Sequence, residues 1–209
     1  MSDILRAAQA KPLYGGPSFT FRNRFRRALW TVSWALLASW TPPQFRPWRR
    51  LLLRLFGARM GLMTDVRGSA RVWHPGNLVM SDRAVLAERV NCYNMALVTL
   101  GLGALVSQGA HLCAGNHDID DPDFQLTAKP ITLEPFSWVA ADAFVAPGVT
   151  VGEGAVLGAR GVALQDLTPW TLYIGNPAVP RRPRARHSAL PRALEPVGPA
   201  ANSKNRDHR

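Results

Sequence analysis

Aliphatic side chains recur every six residues over a long central part of the chain. From residue 133 the sequence divides into LEPFSW, VAADAF, VAPGVT, VGEGAV and LGARGV, each beginning with an aliphatic residue. This period fits neither an α-helix, which repeats every 3.6 residues, nor a strand with one buried face. It is typical of a β-helix, in which each group of six supplies a short strand and a turn. Three groups would complete one coil, which places Leu133 beneath Val151 and Val139 beneath Leu157.

The same period continues upstream in slightly longer coils. Equivalent members of successive triplets are 20 rather than 18 residues apart, which two extra residues at one corner of each coil would explain. The pattern therefore predicts an all-β protein with a parallel β-helix over residues 58–182. A β-sandwich is the alternative, but its strands need longer and more varied spacings. The triplets are Met60, Val66 and Val72; Met80, Leu86 and Cys92; and Leu100, Val106 and Leu112.

Two arginine-rich apolar segments precede the repeat and predict short amphipathic helices within residues 1–57. They are SFTFRNRFRRALWTVSWALLASWTPP at 18–43 and FRPWRRLLLRLFG at 45–57. The apolar stretch at 28–40 is too short for a bilayer span, which needs roughly 20 residues. Arginine mixed with tryptophan and leucine fits a helix that lies on a membrane surface. A β-helix also needs a cap on its first coil, so either role, or both together, is open.

Basic charge is confined to the two ends of the chain. The formal net charge of +11 divides into +10 for residues 1–60, −5 for 61–178 and +6 for 179–209. An acidic centre argues against nucleic acid and favours an anionic lipid or cofactor at the ends. The Pro-, Ala- and Arg-rich residues 183–209 are predicted to form a disordered tail.

The cysteine content and the N-terminal residues indicate the cellular compartment. Cys92 and Cys113 form neither a disulfide framework nor a C-x-x-C pair. The first residues do not have the pattern of a signal peptide. We therefore expect a cytoplasmic protein, which would lie at the inner face of the membrane if its helices bind lipid.

A polar segment interrupts the aliphatic ladder after Leu112. Residues 111–124 read HLCAGNHDIDDPDF, and the ladder resumes only at Leu133, which predicts an excursion loop over residues 118–132. Long loops in compact repeats are functional or disordered. His117, at the start of the loop, could take the proton of a hydroxyl that attacks a thioester. Asp118 or Asp120 could orient its ring, although a loop histidine can equally be structural.

Several motifs of other enzyme classes are missing from the sequence. It contains no G-x-x-x-x-G-K-[ST], no H-E-x-x-H and no G-x-S-x-G. The four aspartates at 118, 120, 121 and 123 lack the glycine and the distal glutamate of an EF-hand. They therefore favour a solvated acidic loop over a calcium site.

The chain resembles the hexapeptide-repeat sugar O-acetyltransferases, and within them the branch of colanic-acid-type exopolysaccharide biosynthesis. The resemblance implies a left-handed β-helix, a homotrimer, acetyl-CoA as the acyl donor and a sugar hydroxyl as the acceptor. It also implies that His117 is the general base, and it implies no metal. The matching segments are the Trp/Arg-rich N-terminal region, YNMALVTLG at 93–101, SQGAHLCAGNHD at 107–118, AADAFVAPGVTVGEGAVLGAR at 140–160 and PWTLYIGNPA at 169–178.

The resemblance also implies further binding residues. Asn94 and Asp118 are assigned to the acceptor, although Asn94 could instead be a turn residue. Trp138 would lie beside the donor groove, or could be a packed surface aromatic. A Thr-Lys pair common in the family is replaced by Leu164-Gln165, so one cation expected near the CoA phosphates is missing. The pantetheine groove would be lined by Ala140, Gly158, Ala159 and Gly161, and the phosphates would meet Arg181 and Arg182 of NPAVPRR.

Two other functions and one further partner stay open at this level. The chain could be a non-catalytic β-helix scaffold. It could also resemble the gamma-type carbonic anhydrases, whose zinc is bound by histidines at subunit interfaces, with His74, His111 and His117 as the candidates. As an acetyltransferase, it could act on a lipid-linked sugar while the Arg/Trp helices of residues 18–56 hold it near a membrane.

Overall fold

Three parallel sheets form the walls of a β-helix, and helices lie across its N-terminal end. The computed structural model describes residues 4–186. Helices α1, α2 and α3 span Ala7–Ala10, Phe21–Leu37 and Arg46–Leu55, and 3-10 turns span Pro12–Tyr14, Pro43–Phe45 and Pro75–Asn77.

The strands, numbered in chain order, alternate among the sheets. The first sheet contains β1 (Arg59–Met60), β4 (Leu78–Met80), β7 (Val98–Leu100), β12 (Ile131–Leu133) and β15 (Thr150–Val151). The second contains β2 (Asp65–Val66), β5 (Val85–Leu86), β8 (Leu105–Val106), β13 (Trp138–Val139), β16 (Val156–Leu157), β18 (Thr171–Ile174) and β19 (Val179–Pro183). The third contains β3 (Arg71–Val72), β6 (Asn91–Tyr93), β9 (His111–Cys113), β14 (Phe144–Val145) and β17 (Val162–Ala163). Strands β10 (Gly115–His117) and β11 (Leu126–Ala128) form a separate hairpin.

The register of these strands confirms the predicted ladder. Leu133 pairs with Val151 and Val139 with Leu157, as the 18-residue spacing predicts. Met60 pairs with Met80 across the predicted 20-residue coil. These side chains are buried in one continuous apolar core, so the period of six marks the positions that face the axis of the β-helix.

The coil has three corners, named here after the sheets that they join. The first corner joins the first and second sheets, the second corner joins the second and third, and the third corner leads back to the first sheet of the next coil. The two extra residues of the longer coils lie at the third corner, in segments 73–79 and 93–99. The third corner therefore accepts added chain length while the paired strands keep their register.

At the first corner, a left-handed backbone conformation recurs in every coil. Gly154 has a φ of 62° there, and the residue above it, Trp170, has a φ of 55°. A Cβ atom on Gly154 would come within 2.6 Å of the Trp170 ring. The indole that covers Gly154 therefore requires glycine there, and glycine also adopts the left-handed conformation without strain.

The helices complete the hydrogen bonding of the first coil, which has no coil beneath it. Backbone N–H groups of the first coil donate upward, for example from Arg67 to the Leu86 carbonyl. Carbonyl groups on the free edge accept from side chains of α2: Trp30 Nε1 donates to Val72 (2.7 Å) and Trp34 Nε1 donates to Gly68 (3.0 Å). The predicted capping role of the helices is therefore confirmed.

Arg49 of α3 is the most deeply buried charge of the cap, at 1% exposed. Its Nε donates to the Val66 carbonyl at 2.7 Å, and its Nη1 donates to Thr41 Oγ1 at 3.0 Å and to the Pro42 carbonyl at 2.8 Å. Its Nη2 lies 3.3 Å from Asp65 Oδ1, which forms an ion pair. One guanidinium thus joins α3, the turn before it and the first coil.

The C-terminal end departs from the predicted boundary at residue 183. Pro183 belongs to β19, which pairs antiparallel with β18, and the backbone N–H of Arg184 donates to the Trp170 carbonyl. Residues 187–209, which carry the rest of the predicted tail, lie outside the described residues. No helix within residues 4–186 combines the length and the apolar character needed to cross a membrane.

We expect Arg49→Met to lower the free energy of unfolding by about 2–4 kcal/mol, because it removes the donor to the buried Val66 carbonyl and one of the two arginines that pair with Asp65, the other being Arg67. Denaturant unfolding followed by circular dichroism measures this. Arg50→Met, on the same helix and half-buried, is the matched control and should change the value by about 0.5 kcal/mol or less. Equal effects of the two substitutions would contradict the bracing role of Arg49.

Candidate active site

The third corner of the third coil carries the excursion that the interrupted ladder predicts. It begins at Gly115, earlier than predicted, because residues 115–117 leave the wall as β10 and return as β11. The hairpin pairs Asn116 with Thr127 and His117 with Leu126. His117 is thus held on a hydrogen-bonded strand that projects from the β-helix.

A close approach to the second coil fixes the base of this hairpin. A Cβ atom on Gly115 would lie 2.3 Å from Met95 Sδ and 3.1 Å from Tyr93 Cε1. Only glycine lets the first residue of β10 lie this close to the coil beneath. The hairpin therefore rests directly on the Tyr93 and Met95 side chains.

The imidazole of His117 is exposed and has one ring nitrogen engaged. Its Nδ1 lies 2.8 Å from the Phe124 carbonyl oxygen. Because a carbonyl only accepts, Nδ1 carries a proton in this arrangement, and in the neutral ring Nε2 then holds the lone pair. Phe124 has a φ of 49°, and this left-handed conformation belongs to the tight turn that brings its carbonyl back to the ring.

The sequence suggested that Asp118 or Asp120 orients the His117 ring, but the loop carboxylates bond to backbone N–H groups instead. Asp118 Oδ1 accepts from the backbone N–H of Asp120 at 3.1 Å, and Asp121 Oδ1 accepts from that of Asp123 at 2.8 Å. Short polar side chains commonly stabilise turns in this way. The carboxylates therefore shape the loop, and the ring is held by a backbone carbonyl. Asp118 itself is exposed beside His117.

Asn94 lies at the third corner of the second coil and is fully buried. Its Oδ1 accepts from the His74 N–H at 3.0 Å, and its Nδ2 donates to the His74 carbonyl at 2.8 Å. Both functional atoms of the amide thus bind the backbone of the coil beneath. This placement favours the turn role of Asn94 over acceptor contact.

The residues predicted for the acyl donor lie on the second sheet and at the second corner. Trp138 of β13 is 40% exposed, and its Nε1 donates to Ser107 Oγ at 2.9 Å. Arg181 and Arg182 lie exposed on β19 at the end of the same sheet. The second corner carries Ala140, Gly158, Ala159 and Gly161 in two successive coils, so the small residues share one edge.

A cleft of about 230 Å³ opens beside Trp138, which is the one residue of its lining that was predicted as a site residue. Trp170 lies in its wall, and Arg184 Nη1 donates to the carbonyls of Phe136 (3.1 Å) and Gly154 (2.9 Å). The Arg184 guanidinium carbon lies 5.8 Å from the centroid of the Trp170 ring. In the sequence, Trp138 and the PW pair that precedes TLYIGNPA were the signals for this cleft.

The base and the donor residues do not meet within one chain. His117 projects from the third corner, whereas the small residues line the second corner. Tyr93 beneath the hairpin has a raised pKa, because it is partly buried and lies near Cys113. His111, on β9 of the third sheet, has a pKa lowered by burial, and its Nε2 lies 3.2 Å from Asn91 Nδ2. Within residues 4–186, no three His, Cys, Asp or Glu side chains are grouped as metal ligands.

Comparison with known proteins gives a relative of almost equal length. An Escherichia coli K12 protein, provisionally named colanic acid biosynthesis acetyltransferase WcaF, is 36% identical over 184 residues. The match covers 88% of this chain and 98% of the relative. No protein-family model matches the chain.

Solved structures of low sequence identity share the fold. A maltose O-acetyltransferase from Clostridium difficile 630 superimposes with a TM-score of 0.72 at 18% identity, over 80% of this chain and 90% of that one. A hexapeptide-repeat acetyltransferase from Vibrio cholerae, solved in complex with acetyl-CoA, has a TM-score of 0.69 at 21% identity, over 79% and 88% of the two chains.

We expect Asn94→Ala to lower the free energy of unfolding by roughly 1–3 kcal/mol, because the half-buried His74 N–H loses its Asn94 acceptor and the His74 carbonyl loses one of its two donors, the other being the Asn77 N–H. Denaturant unfolding measures the loss, and Gln108→Ala, which removes an exposed amide at the second corner, should be nearly neutral. Should Asn94→Ala keep its stability and instead raise the KM for the acceptor, the acceptor role would be correct and the bracing role wrong.

Proposed function

Because the chain belongs to the hexapeptide-repeat acetyltransferases of the colanic acid biosynthesis type, we propose that it transfers the acetyl group of acetyl-CoA to a sugar hydroxyl. His117 is the general base of this proposal. The acceptor is a saccharide of a surface or secreted polysaccharide, in keeping with the name of the Escherichia coli relative.

The observation that carries the proposal is the bond between His117 Nδ1 and the Phe124 carbonyl. In the neutral ring this bond assigns the proton to Nδ1 and the lone pair to Nε2, on an exposed side chain that is held by a strand. A base needs this combination, because proton transfer requires a free lone pair at a position that the substrate can reach.

In the proposed reaction, His117 Nε2 accepts the proton of the acceptor hydroxyl as its oxygen attacks the thioester carbonyl carbon. The new C–O bond forms and the C–S bond breaks, and the imidazolium returns its proton to the departing CoA sulfur. The products are an acetyl ester and CoA, and His117 ends neutral. The Phe124 carbonyl favours the imidazolium during the step, because it keeps accepting from Nδ1–H.

Ala140 and Gly161 are buried, but the exposed part of the small-residue edge, at Ala159, fits an extended acyl donor. Ala159 is exposed at the second corner, and Gly158 beside it has no side chain to block a chain running along the coils. Trp138 and the cleft beside it offer an apolar wall. Arg181 and Arg182 are exposed cations that could meet the CoA phosphates.

The separation of the two corners supports a site shared between copies of the chain. A second copy that places its second corner against the His117 hairpin would bring base and donor together. We therefore include a homotrimer with three such sites in the proposal. Lipid linkage of the acceptor at the inner face of the membrane belongs to the same proposal.

We expect His117→Ala to lower kcat by about a hundredfold to ten-thousandfold, the range for loss of a general base. The assay is release of CoA from acetyl-CoA with a panel of oligosaccharides. His111→Gln, which changes the histidine of the third sheet, is the control and should retain most activity. Transfer that is unaffected by His117→Ala would overturn the mechanism, and the absence of transfer to any acceptor in wild type would favour the scaffold alternative.

Mixing two inactive variants tests the shared site. We expect His117→Ala and Ala159→Trp to be inactive alone, since one lacks the base and the other fills the donor edge. Randomly mixed trimers should recover about a quarter of wild-type activity, because about one interface in four would pair an intact base with an intact edge. If co-expression restores nothing although mixed oligomers form, the base and the donor edge are not supplied by different copies.

A further inference from the structure

The outward side of α2 carries an apolar stripe. Its five large side chains recur at helical spacing, and each is 50–80% exposed. Exposed single apolar residues are ordinary, but a contiguous row of this length marks an interaction surface. The stripe consists of Phe21, Phe25, Leu29, Val32 and Leu36.

The stripe lies opposite the side of α2 that packs on the β-helix. Trp30 and Trp34 are buried against the first coil and bond to its carbonyls. At 100° per residue, Phe21 and Val32 fall on the far side of the helix from these tryptophans. One apolar side of α2 therefore packs on the β-helix, and the opposite apolar side is exposed.

Further large apolar side chains are exposed at the end of α2, on the loop after it and on α3. Trp48 Nε1 donates to the Leu37 carbonyl at 2.8 Å, which ties the start of α3 to the end of α2. The added exposed side chains are Leu37, Trp40, Trp48, Leu51 and Leu55. Together with the α2 stripe they are named here the apolar cap face.

The charge around the apolar cap face has one sign. Residues 4–60 contain eleven Lys and Arg and no Asp or Glu. Arg22 and Arg24, both exposed, lie on either side of the α2 stripe. A row of apolar side chains bordered by arginine and lacking acidic groups is complementary to a bilayer with anionic headgroups.

We propose that the apolar cap face lies on an anionic lipid bilayer and holds the β-helix upright on it. A second copy of the cap is a poor occupant of this face, because it would bring further arginines with no carboxylate to pair with them. The helices are too short or too polar to span a bilayer, so the contact is with the surface.

The fold sets the height of His117 in this orientation. The helices lie beneath the first coil, and the His117 hairpin leaves the third coil. One helix layer of about 10 Å and two coil spacings of about 4.8 Å place His117 about 20 Å above the lipid. The acceptor hydroxyl would then be presented at that height. Only this last step rests on the proposed function, because the identity of the acceptor comes from it.

Co-sedimentation of the full chain with vesicles tests the contact. We expect binding to phosphatidylcholine vesicles that contain phosphatidylglycerol, weaker binding to phosphatidylcholine alone, and release by salt. The double variant Leu29→Asp/Val32→Asp should lose at least about tenfold in partitioning, because two apolar contacts become charged. Arg22→Gln should lose about fivefold on the anionic vesicles only.

Leu164→Asp is the matched control, since Leu164 is 57% exposed on the fifth coil, away from the cap. It should bind like wild type, and circular dichroism should show that all variants are folded. Failure of wild type to bind anionic vesicles, or equal loss in Leu164→Asp, would overturn the proposal. So would a smaller oligomer in the double variant combined with no vesicle binding by wild type, because a second copy would then cover the face.

Release of CoA with a free oligosaccharide should be unchanged in the double variant. This readout separates the two proposals: lipid binding can fail while transfer continues, and transfer can fail while lipid binding is retained.

Discussion

The strands of each coil of the β-helix form their backbone hydrogen bonds with the coil above and the coil below. Because no coil lies beneath the first one, its carbonyl groups have no neighbouring strand that donates to them. Trp30, Trp34 and Arg49 supply these donors from the helical cap. The cost of burying unpaired backbone groups explains why long side chains with strong donors occupy the cap. At the other end, the antiparallel pair β18 and β19 closes the second sheet.

The wall could be predicted from the sequence because one physical requirement recurs at a fixed interval. Positions that face the axis must be apolar and of suitable size, so Leu100, Leu133 and Val151 mark successive coils directly. The hairpin could not be predicted in the same way. Its strands are short and project from the wall, so Gly115–His117 and Leu126–Ala128 show no apolar period.

The features of the site that the sequence missed involve the backbone or distant contacts. The group that orients His117 is a carbonyl, and the identity of Phe124 does not reveal it. Asn94 was assigned to the acceptor through the resemblance of YNMA to the family, yet its partners are backbone atoms one coil away. Arg184 lies just beyond the predicted end of the domain, where composition indicates only a polar tail.

The third corner accepts inserted residues without a change in the pairing of the strands. Between Leu100 and Leu133 the chain runs 33 residues instead of 18 or 20, yet the two residues still pair in parallel. Material inserted here enlarges the molecule outward and leaves the coils above and below unaltered. A lineage of such enzymes could therefore lengthen, shorten or reshape the hairpin, and so exchange one acceptor for another, without rebuilding the protein that carries it.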